Sequence, residues 1–79
     1  MSRVVVYGRP GCHLCDEALE VVQRVRASVP FALEVVDIER DDDLLRRHLE
    51  RIPVVEVDGE ELFELFVDEQ ALRSRLAVS

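Results

Sequence analysis

The sequence holds no lysine, only two cysteines, three glycines and three prolines, and no long apolar run. Two cysteines exclude the many-bridged scaffold by which small secreted domains make up for a thin core. A bridge between neighbours this close would shut a tiny loop and remove little unfolded-state entropy, so a staple is their weakest use. No stretch reaches the roughly 20 apolar residues of a membrane span. "MSRVVVYG" offers no apolar segment long enough for a secretory leader, and a reducing cytoplasm is the expected location. The scarcity of Gly and Pro, with 48% hydrophobic residues, fits a globular chain and not a disordered one. Seventeen acidic against ten basic residues give a net charge of −7, which excludes nucleic acid and anionic membrane surfaces as partners. All ten basic residues are arginine; that is a compositional trait and we assign it no function. At 79 residues the chain is expected to be one domain, 1–79, and a monomer. A chain of this size buries only about 60% of its unfolded surface, so its stability rests on a compact core.

What is present falls into a regular order. "RVVVY" (Arg3–Tyr7), ended by Gly8 and Pro10, reads as a buried strand. Leu14, Ala18, Val21, Val22, Val25 and Val29 form the stripe of an amphipathic helix that the pattern carries to just before Pro30. "FALEVVDI" (Phe31–Ile38) is a second strand, and Asp41 to Asp43 cap a short helix marked by Leu44, Leu45 and Leu49. The three aspartates lack the spaced ligand pattern of a cation loop. His48, four residues after Leu44, is expected partly buried on that helix's apolar side. Pro53 opens "PVVEV", Asp58-Gly59 signals a two-residue hairpin, and "LFELF" is expected to return as a fourth strand. Asp68 can cap a last helix through Leu76. The order β-α-β-α-β-β-α predicts an α/β fold: a four-stranded mixed sheet flanked by helices, with a right-handed first crossover.

Both cysteines stand in "GCHLC" at the start of the first helix. On a 100° wheel Cys15 lies about 60° from the core direction and Cys12 about 120°, so Cys12 is the outer sulfur. Residues one turn apart also fall within the Cα separation a disulfide tolerates, about 4.4–6.8 Å. Cys12 sits where unpaired amides of the first turn point, which favours thiolate over thiol. Cysteines in such settings titrate at roughly 3.5–7.5, against about 8.5 when free. This predicts a thiol–disulfide oxidoreductase in which Cys12 attacks a substrate disulfide and Cys15 resolves the mixed disulfide. Arg9 could lend positive charge to the attacking sulfur or its substrate, while Asp16, Glu17 and Glu20 oppose it. His13 falls on the solvent side, where a modest electrostatic role is open to it. Zinc held within one chain would need four Cys or His ligands, and His13 points away from the pair. The rival reading is a non-catalytic module that shares a metal or iron–sulfur cluster between chains, or serves as an adaptor.

"VVVYGRPGCHLC" and "RIPVVEVDGEEL" together resemble a glutaredoxin: a strand, a basic residue, Pro and C-x-x-C, then a Pro-initiated strand and an Asp-Gly hairpin. The likeness spans nearly the whole chain in motif order, and the C-x-L-C form is similar to a small bacterial glutaredoxin-like branch. It implies a thioredoxin-like fold with Cys12 as nucleophile and Cys15 as resolving thiol. It also implies that Ile52-Pro53 is cis and faces the sulfurs, where the Ile52 backbone could pair with an extended substrate. Expected substrates are disulfide-bearing proteins or glutathionylated molecules. No cofactor is expected to be tightly bound, and the electron donor would be glutathione or a donor of the thioredoxin-reductase kind. Departures bear on the substrate. Phe63 and Glu64 stand where glutaredoxins carry a Gly-Gly pair that helps bind glutathione, and a ring and a negative charge suit that tripeptide poorly. Arg51 replaces a small hydroxyl residue; it could restore a carboxylate contact or, the better supported expectation, close a helix with favourable charge. Thioredoxins are a second comparison, but Val6 stands where they place a buried acid.

Overall fold

β-branched residues favour the pleated, half-buried surface of a strand, and Arg3–Gly8 forms β1 with Val4, Val6 and Gly8 turned inward. In the computed structural model, which describes residues 1–77, seven further elements follow. They are α1 (His13–Arg26), β2 (Ala32–Asp37), a 3₁₀ turn (Ile38–Arg40), α2 (Asp42–His48), β3 (Val54–Val57), β4 (Glu60–Glu64) and α3 (Glu69–Ala77). The sheet runs β2-β1-β3-β4, with β1 parallel to β2 and antiparallel to β3. This is the mixed four-stranded sheet that the element order predicts.

The two faces of the sheet do different work. Val4 and Val6 of β1 lie opposite Val57 and Val55 of β3. On that face all four pack with Val22 and Val25 of α1 and Leu72 and Leu76 of α3 in the main core. Each such side chain fully removed from water stabilises the fold by about 1.5–3 kcal/mol. Tyr7 points to the other face, and at the Gly8 end of β1 it packs against a second, smaller cluster of Cys15, Ile38 and Ile52, joined by Leu44 and Leu45. Cys15 belongs to this smaller cluster and Cys12 packs against it.

Two boundaries differ from the expectation. α1 ends at Arg26, not at Val29: Ser28 and Val29 donate back to the Val25 carbonyl, and Val29 still packs on the core from outside the helix. The residue before a proline is pushed out of the α region, which keeps Val29 from carrying the helix on to Pro30. β4 is Glu60–Glu64, not Leu62–Phe66. Asp58 and Gly59 both take positive φ, 52° and 85°, and so tight a turn lets Glu60 pair at once with Val57. Leu65 then leaves the strand with φ 70° and Phe66 is 69% exposed. The register shifts by one residue between Val55 and Glu56, leaving Leu62 as the extra residue of a bulge. Strict alternation would send Leu62 and Phe63 to opposite faces; the bulge lets both pack against the main core.

Candidate functional site

Gly8 ends β1, and Arg9, Pro10 and Gly11 carry the chain to α1. Gly11 holds φ 77°, a backbone setting an L side chain rarely adopts. Cys12 follows as the N-cap of α1, in extended conformation, and its Sγ accepts the Cys15 N–H at 3.1 Å. Its carbonyl accepts from the Asp16 amide at 3.1 Å and so starts the helix. Cys12 and Cys15 are joined in a disulfide with Cα atoms 5.2 Å apart. Cys15 is 7% exposed and Cys12 half-buried, as the wheel orders them.

Gly8, which in the sequence marks only the end of a strand, is a residue of this site. A Cβ built on it would lie 3.0 Å from Cys15 Sγ and 3.1 Å from Cys15 Cβ. The inner sulfur therefore rests directly on bare backbone. The signal was available: residue 8 continues the inward parity of Val4 and Val6, so it faces α1 where the cysteines stand.

The other site residues surround this pair unevenly. Ile52 packs in the cluster of Cys15 and Ile38, the Ile52-Pro53 bond is cis, and Pro53 is fully buried. The Leu65 N–H donates to the carbonyls on either side of Ile52, Pro53 at 2.9 Å and Arg51 at 3.2 Å. Ile52 itself lies outside the strands, and its amide and carbonyl join none of the backbone bonds among the described residues. Arg9 lies at the mouth of a groove beside Cys15, with its Nε 3.5 Å from a Glu39 carboxylate. His13 is on the solvent side, its side chain 87% exposed and 3.6 Å from Glu17.

Arg51 does not close α2, which ends at His48. Its guanidinium turns across to β4, meeting Glu61 at 2.8 and 3.0 Å and Glu64 at 3.2 Å. A third partner, His48, meets it through Nδ1 at 3.2 Å. Sequence spacing predicts a partly buried histidine; the residue is in fact 1% exposed and stacks on Tyr7 with ring centroids 4.8 Å apart. A guanidinium can only donate, so Nδ1 accepts and Nε2 carries the proton. Burial, and then the charges of Arg51 and Arg47, lower the His48 pKa and keep it neutral. On its other side Tyr7 donates its hydroxyl to Glu56 at 3.2 Å. Among the described residues no three His, Cys, Asp or Glu side chains are grouped to hold a metal ion.

The Glutaredoxin-like domain family (DUF836) matches residues 3–77. The chain belongs to this family. Protein Ne2328 from Nitrosomonas europaea, solved by NMR, is 34% identical over 95% of this chain and 91% of its own, with a TM-score of 0.82. Protein XcR50 from X. campestris, solved by X-ray, is 34% identical over 96% of this chain and 97% of its own, with a TM-score of 0.77. A mutant thioredoxin from Halobacterium salinarum is 21% identical over 98% of this chain and 73% of its own, with a TM-score of 0.70. At that identity the likeness shows the fold alone, and the fold is thioredoxin-like. No curated protein matches the sequence significantly. A glutaredoxin-like fold with two cysteines one helical turn apart suggests redox activity, and no relative named here fixes a substrate.

Proposed function

We propose that this glutaredoxin-like protein is a thiol–disulfide oxidoreductase with Cys12 as nucleophile and Cys15 as resolving thiol. One observation carries the reading: Cys12 Sγ is the N-cap acceptor of the Cys15 amide, one turn from the sulfur to which it is bonded. On reduction that amide and the open helix end face the Cys12 sulfur, and both favour its anion. The Cys12 thiolate attacks one sulfur of a substrate disulfide, forming a mixed disulfide and expelling one substrate thiolate. Cys15, losing its proton to solvent, attacks the Cys12 sulfur and expels the second. The substrate gains two electrons and two protons, and the protein is left with the Cys12–Cys15 bond. A dithiol donor, or two molecules of a monothiol such as glutathione, returns the two electrons. The unengaged backbone of Ile52 supports a role in holding an extended substrate by main-chain pairing. Pro53 fixes that backbone, and Arg9 stands at the entrance. No helix among the described residues is long and apolar enough to cross a membrane, which is compatible with work in the cytoplasm.

Timed alkylation of the reduced protein by iodoacetamide, mapped by mass, tests this. Cys12 should react well before Cys15 at neutral pH, with a midpoint below the roughly 8.5 of a free thiol. Cys12→Ser should abolish disulfide reduction. Cys15→Ser should trap mixed disulfides with protein substrates, and continued turnover of small glutathionylated substrates would reveal a glutathione route. Equal reactivity of the two thiols, or turnover by Cys12→Ser, would overturn the mechanism. Metal found in anaerobically purified dimers would favour the bridging-cluster reading.

A further inference from the structure

A groove beside the disulfide meets the chemistry above only at Cys15 and Arg9. Val6, Leu19 and Val35 line it, Gly8 and Cys15 close one end, and its volume is about 750 Å³. It exists because α1 covers β1 and stops short of β2. Val35 pairs with Val6 and shares its face, yet Val35 is 56% exposed while Val6 is buried.

β2 is also the outermost strand on that side of the sheet. The Ala32 amide donates inward to the Ser2 carbonyl at 2.9 Å. Strand alternation then turns the amides and carbonyls of Leu33, Val35 and Asp37 outward. Among the described residues no backbone bond outside the elements reaches any of the three. An exposed edge next to an exposed aliphatic floor is a template for one more strand.

The rim of the groove says what that strand should carry. Asp16, Glu34, Asp37 and Asp41 stand on it against Arg9 and Arg40. Both arginines already face carboxylates, Arg9 on Glu39 at 3.5 Å and Arg40 on Asp37 at 4.0 Å, and Glu34 is paired with Arg3, so the acidic excess of the rim rests on Asp16 and Asp41. The Asp16 carboxylate faces no cation among the described residues. A second copy of this chain would bring another net charge of −7 and an equally acidic rim, so the charges reject self-pairing.

We propose that this groove and edge dock a basic, extended polypeptide, which adds to β2 as a fifth strand and seats an aliphatic side chain between Leu19 and Val35. The proposal rests on the dithiol reading above and names its substrate class: a protein disulfide within a cationic segment. Direction supports it. Asp37 lies opposite Gly8, so a strand following β2 arrives at the Arg9–Pro10 turn that leads into Cys12. Main-chain bonds to the edge supply affinity, and the acidic rim supplies selectivity and speed of encounter.

The test uses the reduced full chain and two peptides of equal length, each with one cysteine activated as its 2-pyridyl disulfide. In one, valines are flanked by arginine; in the other, by glutamate. Neutral 2,2′-dipyridyl disulfide is the small probe. The arginine peptide should react about tenfold faster than the glutamate peptide at low ionic strength, and the advantage should shrink in high salt. Val35→Pro deletes one outward amide at an edge position where proline is tolerated, and should lower the ratio of arginine-peptide rate to small-probe rate by about tenfold. A measurement on the unaltered protein stands beside it: with a serine version of the arginine peptide, hydrogen exchange at the Leu33 and Val35 amides should slow. Equal peptide rates, an unchanged ratio in V35P, protection confined to Ile52, or a dimer that protects the same amides without peptide would each overturn the docking site and leave the dithiol intact. Failure of dipyridyl disulfide to close the Cys12–Cys15 bond would overturn the dithiol reading itself.

Discussion

A single methyl group on residue 8 would press on the inner sulfur of the pair. The Cβ of an alanine there would sit 3.0 Å from Cys15 Sγ, tighter than nine in ten real Cβ contacts, so a neighbour must give by a few tenths of an ångström. The candidates are β1, which is held on both sides by β2 and β3, and α1, which carries the cysteines. Overpacking of this kind costs about 1–3 kcal/mol. Gly8→Ala should therefore lower the urea midpoint and slow closure of the Cys12–Cys15 bond, read by thiol quench after a pulse of oxidant. A variant that closes its disulfide at the wild-type rate would show that Gly8 does not position Cys15. The cysteines themselves were legible because helical periodicity alone fixes which sulfur is outer. Gly8 is legible only when strand parity is followed one residue past the β-branched run. The link from His48 through Arg51 to Glu61 and Glu64 could not be read, because it joins α2 to β4 through a register that a bulge sets.

At the scale of elements, the caps do what local sequence says they should. Asp41 Oδ1 accepts from Asp43 at 2.8 Å and from Leu44 at 3.3 Å, satisfying two amides at the start of α2. Asp68 does the same for α3 through the Ala71 amide at 3.1 Å. α2 spans only seven residues, Asp42–His48, and a helix so short has little stability of its own. Asp41→Ala should cost about 1 kcal/mol, the usual value of a lost N-cap. Because Leu44 and Leu45 pack on the cluster that holds Cys15 and Ile52, the loss should also raise hydrogen exchange across α2 while leaving α1 protected. Exchange that rises equally in both helices would mean that α2 does not open as a separate unit. The parallel pairing of β1 with β2 and the antiparallel hairpin of β3 and β4 followed from the βαβ rule and the Asp58-Gly59 turn, while the place of β3 beside β1 came from the structure. The ends of α1 and β4 did not, since Val29 and Leu65 keep an apolar pattern after the backbone has turned away. Apolar periodicity reports what packs on a core, and a turn residue can pack there too.

For the molecule as a whole, titrating groups on one face of the sheet set the pH range of stability. His48 is held below its ordinary 6.5 by burial first, then by Arg51 and Arg47, with Glu61 and Glu56 opposing. The unfolded chain binds that proton more readily than the folded one. Stability is thus full above pH 6.5, falls as pH drops toward the folded value, and then levels. Tyr7, stacked on the same ring, is pushed above its ordinary 10.0 by burial first and then by the charge of Glu56. Its contribution has the opposite sign: it is whole below pH 10.0 and is lost as pH rises through the folded value. Asp58, lowered from 3.8 chiefly by the Arg3 amide, adds a second acid step below that pH. Urea midpoints measured across pH should trace a plateau between the His48 and Tyr7 transitions, with the first acid loss beginning near pH 6.5. His48→Phe keeps a ring against Tyr7 and removes the titrating nitrogen, so the step near pH 6.5 should vanish while the Asp58 step remains. A wild-type midpoint flat from about pH 7 down to the Asp58 transition would show that the folded chain takes up the His48 proton as readily as the unfolded one, against the burial and the Arg51 contact.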